Sequence, residues 1–320
     1  MNKFTKIGLS ALAGSLVAFS AQAGSLSASG SASISFSNGD DKSLTHEGNQ
    51  WTMGDSITMT GSGEMDNGMT ISVSFEIDND DVGGGNVYDS HSMTLDTNGF
   101  GTITFAGHGG SSAMSALDDV TPNGYQESWD VVTGAETSTL VGGHGGDNMF
   151  TYKSPDMGGA TVTVAYLNAS DAVSDKSYMD FSIVAKPEMV EGLEVGYGFG
   201  ETEEVTGTAI DETAMYVKYT YGSMTVGYQV NEADGPNASN DLDFTAIGVS
   251  YAVTDDLTVG YSTSESDNGN DADVQEATAI GASFTSGGVT IAGSLNSVDN
   301  VGFDASADRD GYEFNVAFAF

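Results

Sequence analysis

Apolar and polar residues alternate with a period of two along nearly the whole chain after residue 24. In the segment 25–36, Leu26, Ile34 and Phe36 share one parity, while serine occupies every position of the other parity. Because successive residues of a strand point to opposite faces of a sheet, this pattern predicts a strand with one apolar and one hydroxyl face.

Pairs of such segments are joined by short turns. The clearest pair lies at 56–77, where two alternating segments flank Asp66-Asn67-Gly68. An Asn-Gly pair supplies the positive φ angles of a tight hairpin. Counting seven hairpins and one strand at each end, the pattern predicts 16 strands. The remaining connections are long, acidic and rich in glycine and asparagine: 38–54, 78–91, 108–147, 168–177, 200–211, 231–241, 264–274 and 298–310.

Short turns at one rim and long loops at the other, with an even number of strands, are typical of an outer-membrane barrel. A soluble β-sandwich or solenoid would also alternate. The polar face here consists of Ser, Thr, Gly and acidic residues, which suit a watery lumen and not a packed interior. We therefore predict an all-β fold, a 16-stranded antiparallel transmembrane β-barrel over residues 24–320.

The first segment has the features of an export signal. Lys3 and Lys6 precede a mostly apolar stretch at 7–19, and Ala21-Gln22-Ala23 forms a small-x-small cleavage site. We expect a signal peptide at 1–23 that is cleaved, so that the mature chain begins at Gly24.

Composition excludes several classes of function. The chain has 8 Lys and Arg against 46 Asp and Glu, a formal charge of −38, so it lacks the basic footprint that nucleic-acid binding needs. Cysteine is absent, which excludes disulfides and thiolate chemistry. The four histidines fall in predicted loops, without a nucleophile-elbow or zinc-helix motif, so we predict that the protein is not an enzyme.

Three stretches resemble the general porins of Gram-negative bacteria, especially those of alphaproteobacteria. They are the hairpin at 56–77, the segment 146–166, and the C-terminal strand 312–320, which ends on Phe320. The resemblance implies a homotrimer of barrels that passes small hydrophilic solutes by diffusion. It implies contact with outer-membrane lipids and lipopolysaccharide, recognition by the barrel-assembly machinery through Phe320, and a third extracellular loop that folds inward to narrow each pore.

The third long loop, residues 108–147, spans 40 positions, and loops of such length are usually functional or disordered. Its carboxylates, predicted to line a constriction, are Asp118, Asp119, Glu127, Asp130 and Glu136. Rings of acidic residues favour cations, and the whole field of the chain is negative, so we predict a cation-selective channel. The alternative for each loop carboxylate is an ordinary solvated surface position.

The strand pattern also predicts which charges on the wall face the lumen. The expected inward carboxylates are Glu64, Glu76, Asp180, Glu194 and Glu313. The only expected inward cations are Lys153 and Lys218, both near the short-turn rim. Related porins set a basic cluster opposite the acidic loop, and this chain departs from that arrangement. The alternative function is a plugged, structural or adhesive barrel without general flux, and the physiological solute is not identified by the sequence.

Two smaller features suggest ligand chemistry. Gly107-His108 opens the long loop and His144-Gly145 closes it, which indicates either a pH- or metal-sensitive latch or two flexible glycine hinges. The weak metal candidates are Asp78, Asp80 and Asp81, whose oxygens suit calcium but whose spacing is not that of an EF-hand. We expect no firm metal site or cofactor, and at most weakly bound calcium or other divalent cations.

Overall fold

The computed structural model describes residues 24–39, 50–78, 88–135, 145–168, 177–203, 209–235, 241–269, 271 and 273–320. Most of these residues lie in strands. The strands are β1 Ser25–Gly39, β2 Gln50–Glu64, β3 Thr70–Asp78, β4 Ser90–Asp96, β5 Thr102–His108, β6 Gly110–Ser111, β7 Gly145–Gly146, β8 Met149–Lys153, β9 Ala160–Leu167, β10 Ser177–Ala185, β11 Leu193–Glu203, β12 Ala209–Tyr221, β13 Met224–Asp234, β14 Leu242–Ala252, β15 Leu257–Asp267, β16 Gln275–Ser286, β17 Val289–Asp299 and β18 Arg309–Ala319.

Sixteen of these strands form one closed antiparallel barrel. Each pairs with its neighbours along the chain, β5 pairs with β8, and β1 pairs with β18 to close the ring. The predicted number of strands and the predicted hairpins are therefore confirmed. The short strands β6 and β7 form a separate two-stranded ladder that the alternation did not predict.

The hairpin between β2 and β3 shows why the short turns form where they do. Met65 N–H donates to Met69 O at 2.7 Å, and Gly68 adopts a φ of 81°. The Asn67 side chain accepts a hydrogen bond from Met69 N–H at 3.1 Å. Asn-Gly fits this turn because glycine adopts positive φ without a steric cost.

The two faces of each strand differ as the alternation predicted. In β10, Tyr178, Asp180 and Ser182 are buried, whereas Met179 and Phe181 are exposed. Every barrel strand likewise carries exposed apolar side chains on one parity, and together these side chains form the outer surface. Because the barrel is closed, the opposite parity points inward.

The inner surface has two unlike parts. We call the inward side of β1–β5 the hydroxyl wall, since serine and threonine dominate it, and its side chains are mostly exposed or half-buried. We call the inward side of β10–β18 the covered wall, since much of it is buried.

The described helical segments are single 3-10 turns at Met114–Ala116 and Val301–Phe303. Neither is long enough to cross a bilayer.

Candidate functional site

The long loop begins and ends on paired strands. β5 and β8 run side by side, from Thr102 opposite Lys153 to Ala106 opposite Met149. The β6–β7 ladder then joins the two ends of the loop immediately beyond the barrel wall. The loop is thus fixed at its root before its central residues begin.

The first turn of the loop is held by a carboxylate of the covered wall. Ala113 N–H and Met114 N–H donate to the two oxygens of Asp180 at 3.0 and 2.7 Å. Asp180 is only 3% exposed, so these hydrogen bonds satisfy a charge that has little water. Met114 and Leu117 are fully buried beside it.

The middle of the loop crosses the covered wall toward β18. The Gln229 side-chain oxygen accepts hydrogen bonds from Val120 N–H at 3.3 Å and from the Thr121 hydroxyl at 3.1 Å. Further on, the Tyr125 hydroxyl and the Gln126 amide donate to the two carboxylate oxygens of Glu313 at 2.8 and 3.2 Å. Polar side chains of the wall therefore hold both ends of this segment.

The last described part of the loop is held by apolar packing. Trp129 is 4% exposed, and its ring meets Phe244 edge-on at 5.0 Å between centroids. Val132 joins the same cluster with Val298 and Val301. Asn296 donates to the backbone carbonyls of Glu127 and Ser128 at 2.6 and 3.1 Å. Burying an aromatic ring in this way is a large apolar contribution that fixes the segment.

These contacts place residues 112–133 on the inward parity of β10–β18. The loop carboxylates differ in their surroundings: Asp119 and Asp130 are exposed, whereas Asp118 and Glu127 are half-buried. Glu127 accepts a hydrogen bond from the Asn123 amide at 2.6 Å, and its own N–H donates to Asp130 at 2.9 Å. Burial first, and then the neighbouring Asp130 and Asp119, raise the pKa of Glu127 to about 8.

The hydroxyl wall is continuous across several strands. The register aligns Ser62, Ser72, Thr94, Thr104 and Thr151 in one row over β2, β3, β4, β5 and β8. Neighbouring hydroxyls bond to each other, as between Thr94 and Thr104 at 2.9 Å. None of the described residues of β1–β5 is lysine or arginine, and the charged side chains on the inward parity are carboxylates. They are Glu64, Glu76, Asp78 and Asp96.

The predicted wall carboxylates therefore have different surroundings. Asp180 and Glu313 bind the loop, as described above. Glu194 lies 2.9 Å from both Lys186 and Lys218, which balance its charge. Glu64 is exposed, and Glu76, half-buried, accepts a hydrogen bond from the Ser90 hydroxyl at 3.2 Å.

The inward cations include one that the strand pattern missed. Lys153 and Lys218 lie on the inward parity as expected, with the Lys218 ammonium 5.2 Å from the centre of the Tyr216 ring. Arg309, expected elsewhere, shares the inward parity of β18 and donates to Thr133 O of the loop. The expectation of only two inward cations is wrong, because β18 begins earlier than its apolar residues indicated.

The histidine features are partly outside the described residues. His144 and Glu136 lie there, as do the metal candidates Asp80 and Asp81. His108 Nδ1 lies 2.6 Å from Asp147 Oδ1, and its ring stacks on that of His91 at 6.5 Å. The Gly107 backbone adjoins the His91 ring, where a Cβ would stand 2.3 Å from Nε2.

Gly145, the predicted closing hinge, pairs with Ser111 in the short ladder. Asp78 is half-buried at the end of β3. Within the described parts of the chain, no group of three or more histidine, aspartate or glutamate side chains is arranged to hold a metal ion.

Sequence reasoning missed the residues of the covered wall that receive the loop. Phe244 and Val298 carry apolar side chains on the parity that is otherwise mostly polar, and both pack in one cluster with Trp129 and Val132 of the loop. This reversal of the alternation is visible in the sequence, and it indicates an apolar partner inside the barrel.

The sequence model of the Gram-negative porin family matches residues 8–302. No curated protein sequence matches the chain. Several solved structures share the fold at low sequence identity. OmpT of Vibrio cholerae is 14% identical, with a TM-score of 0.69 over 94% of this chain and 99% of that one.

The anion-selective porin of Comamonas acidovorans is 15% identical, with a TM-score of 0.70 over 92% of this chain and 99% of that one. A mutant of the Rh. blastica porin is 16% identical, with a TM-score of 0.65 over 92% of this chain and 100% of that one. The closed barrel and the family match agree, and the chain belongs to the Gram-negative porins, β-barrel channel proteins of the outer membrane.

Proposed function

We propose that this porin conducts small hydrophilic solutes and ions by passive diffusion and prefers cations. The observation that carries the proposal is the sign of the charges on the uncovered inner surface. The hydroxyl wall carries carboxylates and no cation, and the loop adds Asp119 and Asp130 as exposed acids. Carboxylates that line a pore attract cations and repel anions.

The inward cations do not offset these acids. Lys218 is paired with Glu194, and the guanidinium of Arg309 is hydrogen-bonded to the loop backbone. Lys153 lies at the end of β8, next to the short-turn rim. The Comamonas porin is anion-selective, so membership of the family does not determine the sign. The charges of this chain's own wall are what supports the proposed cation preference.

An open lumen is favoured over a plugged barrel because the loop lies along one side. Its described contacts are with the covered wall and, through Ala113, with Met149 of β8 and Ala165 of β9, while most hydroxyl-wall side chains retain solvent exposure. A loop that plugged the barrel would bury the side chains of both the covered wall and the hydroxyl wall. The Ser and Thr hydroxyls on the free side both donate and accept hydrogen bonds, which suits hydrated ions and neutral polar solutes.

The test is single-channel recording in a planar bilayer with a KCl gradient. We expect large stable steps and a reversal potential that favours potassium. A reversal potential that favours chloride would refute the cation preference. Correctly folded protein without steps would indicate the alternative, a plugged or structural barrel.

We further propose a homotrimer whose contacts include the outer surface of β1 and β2. Small outward residues there, Ala28, Ala32, Gly61 and Gly63, leave room for the close approach of a second barrel, and nothing lies within 4 Å of a Cβ added at Gly61 or Gly63. Light scattering of the detergent-solubilised protein gives the number of subunits. A monomer under conditions that preserve the barrel would contradict this proposal.

Five further proposals concern export, assembly and ligands. Cleavage after Ala23 would leave Gly24 as the first residue, which N-terminal sequencing tests. Phe320 pairs with Gly30 through two backbone hydrogen bonds of 2.9 Å where the last strand meets the first, which supports the proposal that it serves as a barrel-assembly signal. Lipopolysaccharide is the proposed lipid partner. Calcium near Asp78 is the proposed weak ligand, and calorimetry tests both.

A latch at His108 predicts that zinc changes the conductance noise.

A further inference from the structure

Four glycines lie on the covered wall beneath the middle of the loop. They are Gly227, Gly248, Gly260 and Gly281, one on each of the strands β13, β14, β15 and β16. The register places Gly227 opposite Gly248, and Gly260 opposite Gly281. All four share the inward parity, and we call them the glycine track.

The loop backbone rests directly on this track. A Cβ added at Gly248 would stand 2.1 Å from Pro122 O, and one at Gly260 would stand 2.3 Å from Gly124 N. A Cβ at Gly281 would stand 2.9 Å from Tyr125 N. Ordinary Cβ contacts begin at about 3.4 Å, so even alanine would force the loop away from the wall.

Backbone conformation does not explain these glycines. The positive-φ glycines of the described chain lie at other positions, mostly in turns. Glycine weakens the interior of a strand and often marks a place where another backbone approaches closely. The close approach of the loop is the physical reason for glycine at these positions.

The loop is complementary to the track. Gly124 faces Gly281, where a Cβ on Gly124 would stand 2.0 Å from Gly281 O. The hydrogen bonds to Gln229 on one side and to Glu313 on the other hold the segment between them. Because both ends are held, a displaced segment would move inward, toward the hydroxyl wall.

We propose that the glycine track sets the width of the pore by letting the loop lie flat against the covered wall. The inference rests on the proposed channel function. In this role the glycines are positioning residues. They carry no side chain into the lumen, and they affect the size limit for solutes only by determining where the loop lies.

The test is a series of substitutions of increasing size, Gly248→Ala, Gly260→Ala, and then Gly248→Val with Gly260→Val. The control is Gly54→Ala and Gly54→Val on the inward face of β2, where the one atom near an added Cβ is the Ser33 hydroxyl at 3.2 Å. Single-channel conductance and the largest permeating polyethylene glycol are measured, with heat-dependent gel migration as the check that the barrel is folded.

We expect conductance and polymer size to decrease from glycine to alanine to valine, and to stay at wild-type values in the control. The reversal potential should not change, since no charge is altered. Wild-type conductance in the track variants, or an increase, would overturn the proposal. If the strand variants fail to fold, Gly124→Ala changes only the loop and must lower conductance as well.

A second measurement does not depend on conduction. The chain contains no cysteine, so spin labels at Asn123→Cys, within the segment over the track, and at Ser29→Cys report the distance between the loop and the hydroxyl wall in each subunit. The valine variants of the track should shorten this distance, and the Gly54 control should not. An unchanged distance refutes the role of the track, whereas a wild-type protein that never conducts refutes only the proposed function.

Discussion

The hydroxyl wall and the covered wall are built from the same kind of strand but carry different side chains. The hydroxyl wall presents rows of serine and threonine that retain solvent exposure. The covered wall presents glycine, alanine and a few large apolar residues such as Phe244, together with serine, asparagine and glutamine side chains that are buried. One surface is suited to water and the other to close packing of a second layer.

This difference shows that the lumen is divided by function. The covered wall positions the loop in three ways: Asp180 binds its backbone, Glu313 binds two of its side chains, and apolar residues pack against Trp129. The hydroxyl wall carries acidic side chains and no lysine or arginine, which is why we propose a negative electrostatic potential in the remaining space. Four experiments test whether the two walls have these separate roles, and the one with the largest expected effect comes first.

Adding cations to the hydroxyl wall should have the largest effect. Thr60 and Ser74 lie opposite each other in β2 and β3. The double substitution Thr60→Lys with Ser74→Lys adds two positive charges to an otherwise acidic surface, so we expect the cation preference to be lost or reversed. The control exchanges the same hydroxyls, Thr60→Ser with Ser74→Thr. A reversal potential that stays at the wild-type value would show that this wall does not line the ion path.

Removing the largest apolar contact of the loop should release it from the covered wall. Trp129→Ala removes a buried ring, which costs about 3–5 kcal/mol in packed sites. We expect noisy conductance and faster proteolysis within the loop, while the barrel keeps its unfolding temperature. Trp51→Ala is the matched control, since Trp51 is 67% exposed on the outer surface. Equal effects of the two substitutions would contradict a special role for Trp129.

Changing the anchor at the first turn should have a smaller effect. Asp180→Asn leaves one acceptor for two backbone donors, so Ala113 or Met114 N–H loses its partner at a cost of about 1–3 kcal/mol. We expect faster hydrogen exchange at these two amides. Glu64→Gln is the control, because Glu64 is an exposed inward carboxylate at the other rim. Unchanged exchange in Asp180→Asn would show that the anchor is dispensable.

A change of pH should have the smallest effect, since it alters one charge on the loop. With a pKa of about 8, Glu127 is neutral at low pH and ionised at high pH. Raising the pH from about 7 to about 9, above the ordinary pKa of histidine and below that of lysine, therefore adds negative charge at Glu127 and should increase the cation preference. The change in reversal potential should centre near the pKa of Glu127. Glu127→Gln should remove this pH-dependent change in reversal potential. A change that persists in the variant would belong to another titratable group.

The sequence predicted the barrel well because its signal is local. A period of two is visible in any single strand, and turns such as Asp66-Asn67-Gly68 mark where each hairpin reverses. The length of 108–147 indicated a functional loop. The track was also present in the sequence, since Val226-Gly227, Ile247-Gly248, Val259-Gly260 and Ile280-Gly281 repeat one apolar-glycine pair on each strand.

The roles of individual charges were not predictable in the same way. Asp180, Glu194 and Glu313 have the same parity and the same sequence pattern, yet the first and last bind the loop and the second binds two lysines. Alternation assigns a face to a side chain, but it does not say which other segment will lie against that face.

Alternation and composition were enough to predict the number of strands, the excess of negative charge and the face of most side chains, with Arg309 as an exception. Only the tertiary structure decided which half of the wall the loop covers and which carboxylates remain near water. The reason is distance along the chain. Tyr125 and Glu313 are 188 positions apart, and their contact exists only because the barrel closes and the loop packs against its inner wall. Strand pattern is a property of neighbouring residues, whereas this contact is a property of the closed fold.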